Sequence, residues 1–112
     1  LEIEGDYVDQ WGNTIAITSD TLTLAGMGRY NIAEFDNAAN WVLAQNDDTN
    51  EYFPGMWSRF DWTEHDGDLY LCQIAYADES LAAAKDTEAP DASDPANAGC
   101  GGFGWTVLTP AE

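Results

Sequence analysis

The chain has 112 residues, of which 21 are Asp or Glu and only three, Arg29, Arg59 and Lys85, are Lys or Arg, for a formal net charge of −18. Three scattered cations cannot track a phosphate backbone or hold an anionic headgroup layer, so nucleic acid and anionic membrane surfaces are excluded as partners. A hydrophobic content of 45%, including five Trp, five Tyr and four Phe, is that of a chain folding around a core, not of a disordered acidic segment.

The length predicts one domain, 1–112. No apolar run approaches the roughly 20 residues a membrane span needs, so no membrane insertion is expected. The chain opens at Leu1 without a Met, which suggests a processed or truncated start. Cys72 and Cys100, an even count in a small acidic domain, predict one disulfide and a secreted or cell-surface location. Two unpaired buried thiols are the alternative. With His65 the sole histidine, a zinc site lacks ligands. Neither a metal nor a cofactor is expected.

In chain order, short strands alternate with turn residues. Tyr7 to Trp11 forms a first strand, introduced by Gly5 and ended by Gly12-Asn13. Thr14 to Thr18 sets Ile15 and Ile17 against polar neighbours, the period-2 pattern of a half-buried strand. After Ser19-Asp20, Thr21 to Leu24 alternates again, and Gly26-Met27-Gly28 breaks it. Arg29 to Phe35 places Tyr30, Ile32 and Glu34 on one face and Asn31, Ala33 and Phe35 on the other. Asp36 to Asn40 is a turn, and Trp41 to Gln45 a fifth strand. A polar loop from Asn46 to Pro54-Gly55 leads to strands Met56 to Thr63 and Leu69 to Tyr76. Between these lies Asp66-Gly67, the chain's strongest hairpin signal. Glu79 to Lys85 is a short helix that Asp78 or Ser80 would cap. Asp86 to Gly102, with Pro90 and Pro95, is a loop. Trp105 to Leu108 is the last strand. About eight strands at this spacing predict an all-β antiparallel meander, either barrel or sandwich, with one short helix before the final strand.

Gly5-x-Tyr7, followed by Thr14-Ile15-Ala16-Ile17-Thr18, resembles the opening of calycin-type barrels, the group that includes the lipocalins. There a Gly-x-Trp begins the first strand and its ring plugs the closed end of the barrel. The resemblance implies a small calycin-like barrel with Tyr7 as the plug. It also implies a non-catalytic binding protein whose aromatic-lined lumen or face takes a small apolar or sugar-like ligand. The family's usual basic residue on the last strand is missing, and Arg59, on another strand, is the nearest substitute. Trp57 to Trp62, Leu69 to Gln73 and Gly99 to Trp105 resemble small secreted or lipid-anchored bacterial proteins of unknown function.

On the strand through residues 56–63, alternation places Trp57, Arg59 and Asp61 on one face and Ser58, Phe60 and Trp62 on the other. Arg59 beside Asp61 and Trp57 forms either a sugar-stacking platform or a structural ion pair over a core aromatic. Trp41, Trp57 and Trp62 are the candidate ligand-facing tryptophans, with Arg59 and Asp61 as polar partners. If side chains fill the barrel, a structural, glycan-binding or self-associating surface protein is the alternative. The loops Asp47 to Glu51 and Asp66 to Asp68 offer oxygen ligands of the kind Ca²⁺ prefers, yet turn chemistry accounts for the same residues. Ser58 and His65 have no nucleophile-elbow context, and no enzymatic activity is expected.

Overall fold

The computed structural model describes residues 1–111. Eight strands, β1 (Gly5–Val8), β2 (Thr14–Ile17), β3 (Thr21–Leu24), β4 (Gly28–Asp36), β5 (Trp41–Asn46), β6 (Trp57–His65), β7 (Asp68–Asp78) and β8 (Thr106–Pro110), form a closed barrel. Each pairs antiparallel with its chain neighbours, and β8 returns to β1 through Tyr7↔Pro110 and Val8↔Thr109. Closure leaves no sheet edge open to another chain. This shortest seam is extended by the Ala111 N–H on Asp6 O and the Val107 N–H on Gln10 Oε1.

The hairpin between β6 and β7 forms where Asp66-Gly67 requires it. Asp66 has φ +52° and Gly67 φ +86°, the pair of left-handed residues a type I′ turn demands. Most strand ends shift by one or two residues from the sequence expectation, and in two strands the difference has a local cause. The first ends at Val8, not Trp11, because the Asp9 carboxylate accepts the N–H groups of Trp11 and Asn13 and folds that segment into a turn. In β4 a bulge between Ile32 and Glu34 adds a residue and resets the alternation. Glu34 therefore pairs with outward-facing Leu43, and Phe35 with inward-facing Val42, the reverse of the simple pattern.

Alternate side chains fill the interior: Ile15, Ile17, Leu22, Tyr30, Val42, Phe60, Trp62, Leu71 and Leu108 form one buried cluster. Tyr30 and Phe60 meet edge to face, with centroids 5.1 Å apart. At one end, the base, a hollow of about 300 Å³ opens between Tyr7, Glu64, Asp68 and Pro110, and above it the core is closed by packed side chains. Tyr7 lies inside the barrel at this end and donates its hydroxyl to Ile3 O at 2.9 Å, and Ile3 and Trp62 are buried in the same cluster. The Glu2 N–H reaches Asn37 Oδ1 on the β4–β5 turn, fixing the N-terminal segment there.

A second layer covers the outer face of β5 to β8. Helix α1 (Leu81–Lys85) is capped by Ser80, whose hydroxyl accepts the Ala83 N–H, and it buries Ala84. The segment after it returns to β8 across the outer faces of β7 and β8. Tyr70, Cys72 and Trp105 form a small core there, with Ile74, Cys100 and Val107 around it. The Cys72–Cys100 disulfide is formed, with Cα atoms 5.7 Å apart across 28 positions. A loop of this length is worth about 3–4 kcal/mol in the chain-entropy account. No helix is long and apolar enough to cross a membrane among the described residues.

Candidate functional site at the barrel mouth

In an up-and-down barrel the connections emerge alternately at the two ends. Those at the base are short and carry no large apolar side chain: Thr18–Asp20, Asn37–Asn40 and Asp66-Gly67. The mouth receives the β1–β2, β3–β4, β5–β6 and β7–β8 connections, and the first three carry large apolar side chains. Trp11, Met27, Tyr52 and Phe53 are all exposed there, with Trp11 71% and Tyr52 68% accessible, and Tyr76 near the end of β7 joins them. This convergence follows from strand order alone, because every one of these connections is odd-numbered. The tryptophans of the strands do not point to it.

Two hollows share Met27 and Gln73 and so form one mouth. The larger, about 320 Å³, lies between Met27, Tyr30, Tyr52, Phe53 and Tyr76, with Asn46 and Gln73 as its polar lining. The smaller, about 170 Å³, descends past Trp11 and Leu24 to Phe60 and Leu71 in the barrel interior. Small-molecule sites start at roughly 300 Å³, and an eight-stranded barrel has room for one modest ligand.

Asn46, 3% accessible at the end of β5, organises this rim. Its amide nitrogen donates to Phe53 O and to Tyr76 O, each at 2.9 Å. Their rings meet at a tilt of 48° with centroids 5.6 Å apart, so one buried amide sets both. Phe53 has φ +51°, a left-handed conformation costing a bulky residue roughly 1 kcal/mol or more. Its carbonyl is held there by Asn46 Nδ2 and by the Met56 N–H. The same loop is tied to β4. Asn50 accepts the Arg29 N–H and donates to Arg29 O at 2.9 and 2.8 Å, completing a strand-like pair with its side chain. Gly28 is required for this approach, since a Cβ there would lie 2.8 Å from the Asn50 amide carbon. The loop is thus preorganised rather than free.

Asp47, at the acidic start of that loop, is engaged locally. It accepts from the Thr49 hydroxyl and N–H and from Asn31 Nδ2. The hydrogen bonds from Thr49 and then Asn31 hold its carboxyl down at about 2. Among the described residues no three His, Cys, Asp or Glu side chains gather as a metal site would require.

The five residues singled out from the sequence lie elsewhere. Trp41, Arg59 and Asp61 do come together, on the outer face of β5 and β6, but α1 and the residues after it cover them. Arg59 donates to Asp61 through Nε at 2.8 Å and through a terminal nitrogen at 3.2 Å. Its other terminal nitrogen donates to Lys85 O and Thr87 O, at 3.1 and 2.6 Å. Four of the guanidinium's five N–H groups are thereby engaged within the protein. The guanidinium sits 5.9 Å from the Trp41 ring centroid, and Lys85 Nζ 5.7 Å from it. Burial pushes the Asp61 carboxyl up, opposed by the hydrogen bonds and charge of Arg59. The cluster is a clasp holding the helix C-terminus to the barrel wall. Trp57 lies on the same strand face, opposite Asp78. Trp62 faces inward and is 4% accessible in the core.

Ser58 and His65 occupy opposite ends of β6, about 23 Å apart at the usual strand rise. Ser58 is spent on Asn46 and Gln73, and His65 lies 3.5 Å from Asp66 at the base. No protein-family model, curated protein or solved structure matches the chain. Fold and site together define a closed eight-stranded antiparallel barrel, disulfide-braced, with an aromatic-rimmed hollow at one end.

Proposed function

We propose that this chain is a non-catalytic, lipocalin-like binding protein that acts outside the cytoplasm and takes a small apolar ligand at its barrel mouth. The observation that carries this reading is the hollow of about 320 Å³, rimmed by Met27, Tyr52, Phe53 and Tyr76. Exposed aromatics cost solubility, and a fold that holds them at a preformed concavity supports a use for them there. The Cys72–Cys100 disulfide and the surface charge of −18 suit an oxidising, aqueous environment. Tyr7 occupies the place that the calycin resemblance gives to the plugging ring, which favours the lipocalin-like form of the proposal.

Titration with the uncharged fluorophore N-phenylnaphthylamine tests it. Saturable enhancement at one probe per chain is expected, weakened about tenfold or more by Phe53→Ala with Tyr76→Ala, since a paired aromatic rim is a typical binding hot spot. Phe103→Ala, which removes an exposed ring that lines neither hollow, should leave the titration unchanged. Absence of saturation, or equal loss in both variants, overturns the proposal. It would then favour the surface-interaction alternative, for which the exposed rings Trp11, Tyr52 and Phe103 would be the contact points.

A further inference from the structure

Beneath the rim runs a short relay of side-chain hydrogen bonds whose direction is fixed from one end. Asn46 Nδ2 faces two backbone carbonyls, Phe53 O and Tyr76 O, which only accept. The amide must therefore present its nitrogen to them and its Oδ1 to the other side. There it meets the hydroxyl of Ser58, a fully buried residue, which must donate. With its proton committed, Ser58 Oγ can only accept from its next neighbour, and Gln73 supplies Nε2 at 3.2 Å. The Gln73 amide is thus oriented in turn, with its carbonyl oxygen turned away from Ser58. That Oε1 has no hydrogen-bond partner in the protein among the described residues, and Gln73 lines both hollows of the mouth.

We infer that the mouth selects an uncharged ligand whose apolar body ends in a hydrogen-bond donor, an alcohol or phenol, read by the Gln73 carbonyl, and that it rejects carboxylates. This rests on the mouth being a ligand site, and it adds which ligands enter. A hydroxyl placed at Gln73 satisfies Oε1. An ether of the same shape covers it and leaves it unpaired, which costs more than the bond itself gains. A carboxylate brings only acceptors to an acceptor. It also finds no Lys or Arg in the lining, in a chain of net charge −18, so its desolvation is uncompensated. Arg59 and Lys85, the cations at the outer clasp, are engaged with Asp61 and Glu34.

The experiment is calorimetric titration of the oxidised chain with naphthol, methoxynaphthalene and naphthoate, three probes sharing one aromatic body. Naphthol should bind about five- to tenfold more tightly than methoxynaphthalene, the worth of one neutral hydrogen bond. Naphthoate should be the weakest. Gln73→Met keeps the side-chain volume and should bring naphthol and methoxynaphthalene to equal affinity. Ser58→Ala should narrow the same gap by freeing the Gln73 amide to turn its nitrogen inward, a change that lost volume alone would not produce. Equal binding of the two neutral probes by the parent chain, an unchanged preference in Gln73→Met, or preferred binding of naphthoate overturns the inference while leaving an apolar site in place. Failure of all three probes to bind overturns the mouth as a ligand site.

Discussion

At the base of the barrel Tyr7, Trp62 and Leu108 are packed with Ile3 and lose nearly all contact with water, while at the mouth Trp11, Tyr52 and Tyr76 stand largely in solvent. Both ends draw on the same residue types. What separates them is the connections: two- to four-residue turns with no large apolar side chain below, and connections carrying Trp11, Met27, Tyr52 and Phe53 above. The base ties its tyrosine by a hydroxyl on a backbone carbonyl. The mouth instead buries small polar groups, Asn46 and Ser58, and lets them position rings that remain accessible. Rings at the base therefore contribute to stability, and rings at the mouth are available for recognition.

The widest expected gap between the two ends is in stability. Trp62→Ala empties a core site, and Trp→Ala changes of this kind cost about 3–5 kcal/mol. Tyr52→Ala removes a ring that is 68% accessible and should stay within about 0.5 kcal/mol of the parent. Urea unfolding of both variants, beside fluorophore titration, should show opposite rankings. Trp62→Ala should lose stability while its folded fraction binds, and Tyr52→Ala should keep stability and bind more weakly. Comparable destabilisation by the two would make the mouth a continuation of the core.

The outer clasp is a third environment, and Arg59 tests it. Arg59→Met leaves Asp61 buried without its partner, which typically costs about 3–5 kcal/mol. The double variant with Asp61→Leu should recover most of that loss, because the desolvation of both charges disappears together. Burial already raises the Asp61 carboxyl, and removing Arg59 raises it further. A carboxyl raised in the native state takes its proton there more readily than in the unfolded chain. The deficit of Arg59→Met should therefore shrink as pH is lowered through that raised value. Thermal unfolding at neutral and mildly acidic pH checks both points. A double variant no more stable than the single one would show that the pair itself holds α1.

These contrasts were unequally legible in the sequence. Period-2 alternation located the strands, and Asp66-Gly67 located the β6–β7 hairpin, because both signals are local. Phe35 lies on the face opposite to the one simple alternation predicts, because a bulge shifts the phase by one residue and leaves no mark in composition. Trp41, Arg59 and Asp61 could be grouped by alternation. Their cover could not, since Lys85 and Thr87 reach Arg59 from 26 and 28 positions away. The mouth was hidden differently. Tyr52 and Phe53 sit in a loop that reads as polar, and Asn46 reads as turn punctuation until its two carbonyl partners are seen. Counting connections from β1 would still have placed Trp11, Met27 and Tyr52 at one end.

The smallest expected effect belongs to the acidic loop that carries the mouth's aromatics, and it separates local order there from the packing of the base. The ordinary carboxyl value of 3.8 falls at Asp47 to about 2, through hydrogen bonds from Thr49 and Asn31. The native state then binds the proton less readily than the unfolded chain, so Asp47 contributes stability that is complete above the ordinary value and lost as pH falls towards 2. Asp47→Asn should be less stable than the parent at pH values of about 5 and above, with the gap closing between roughly pH 4 and 2. Comparing variant and parent at each pH cancels the general relief of charge repulsion as the other carboxylates protonate. Urea unfolding at neutral pH, at about pH 4 and near pH 2.5 measures the gap. A constant gap across that range would mean that the Asp47 carboxylate does not hold the loop, leaving Asn50 and Asn46 as the ties that keep the mouth formed in acid.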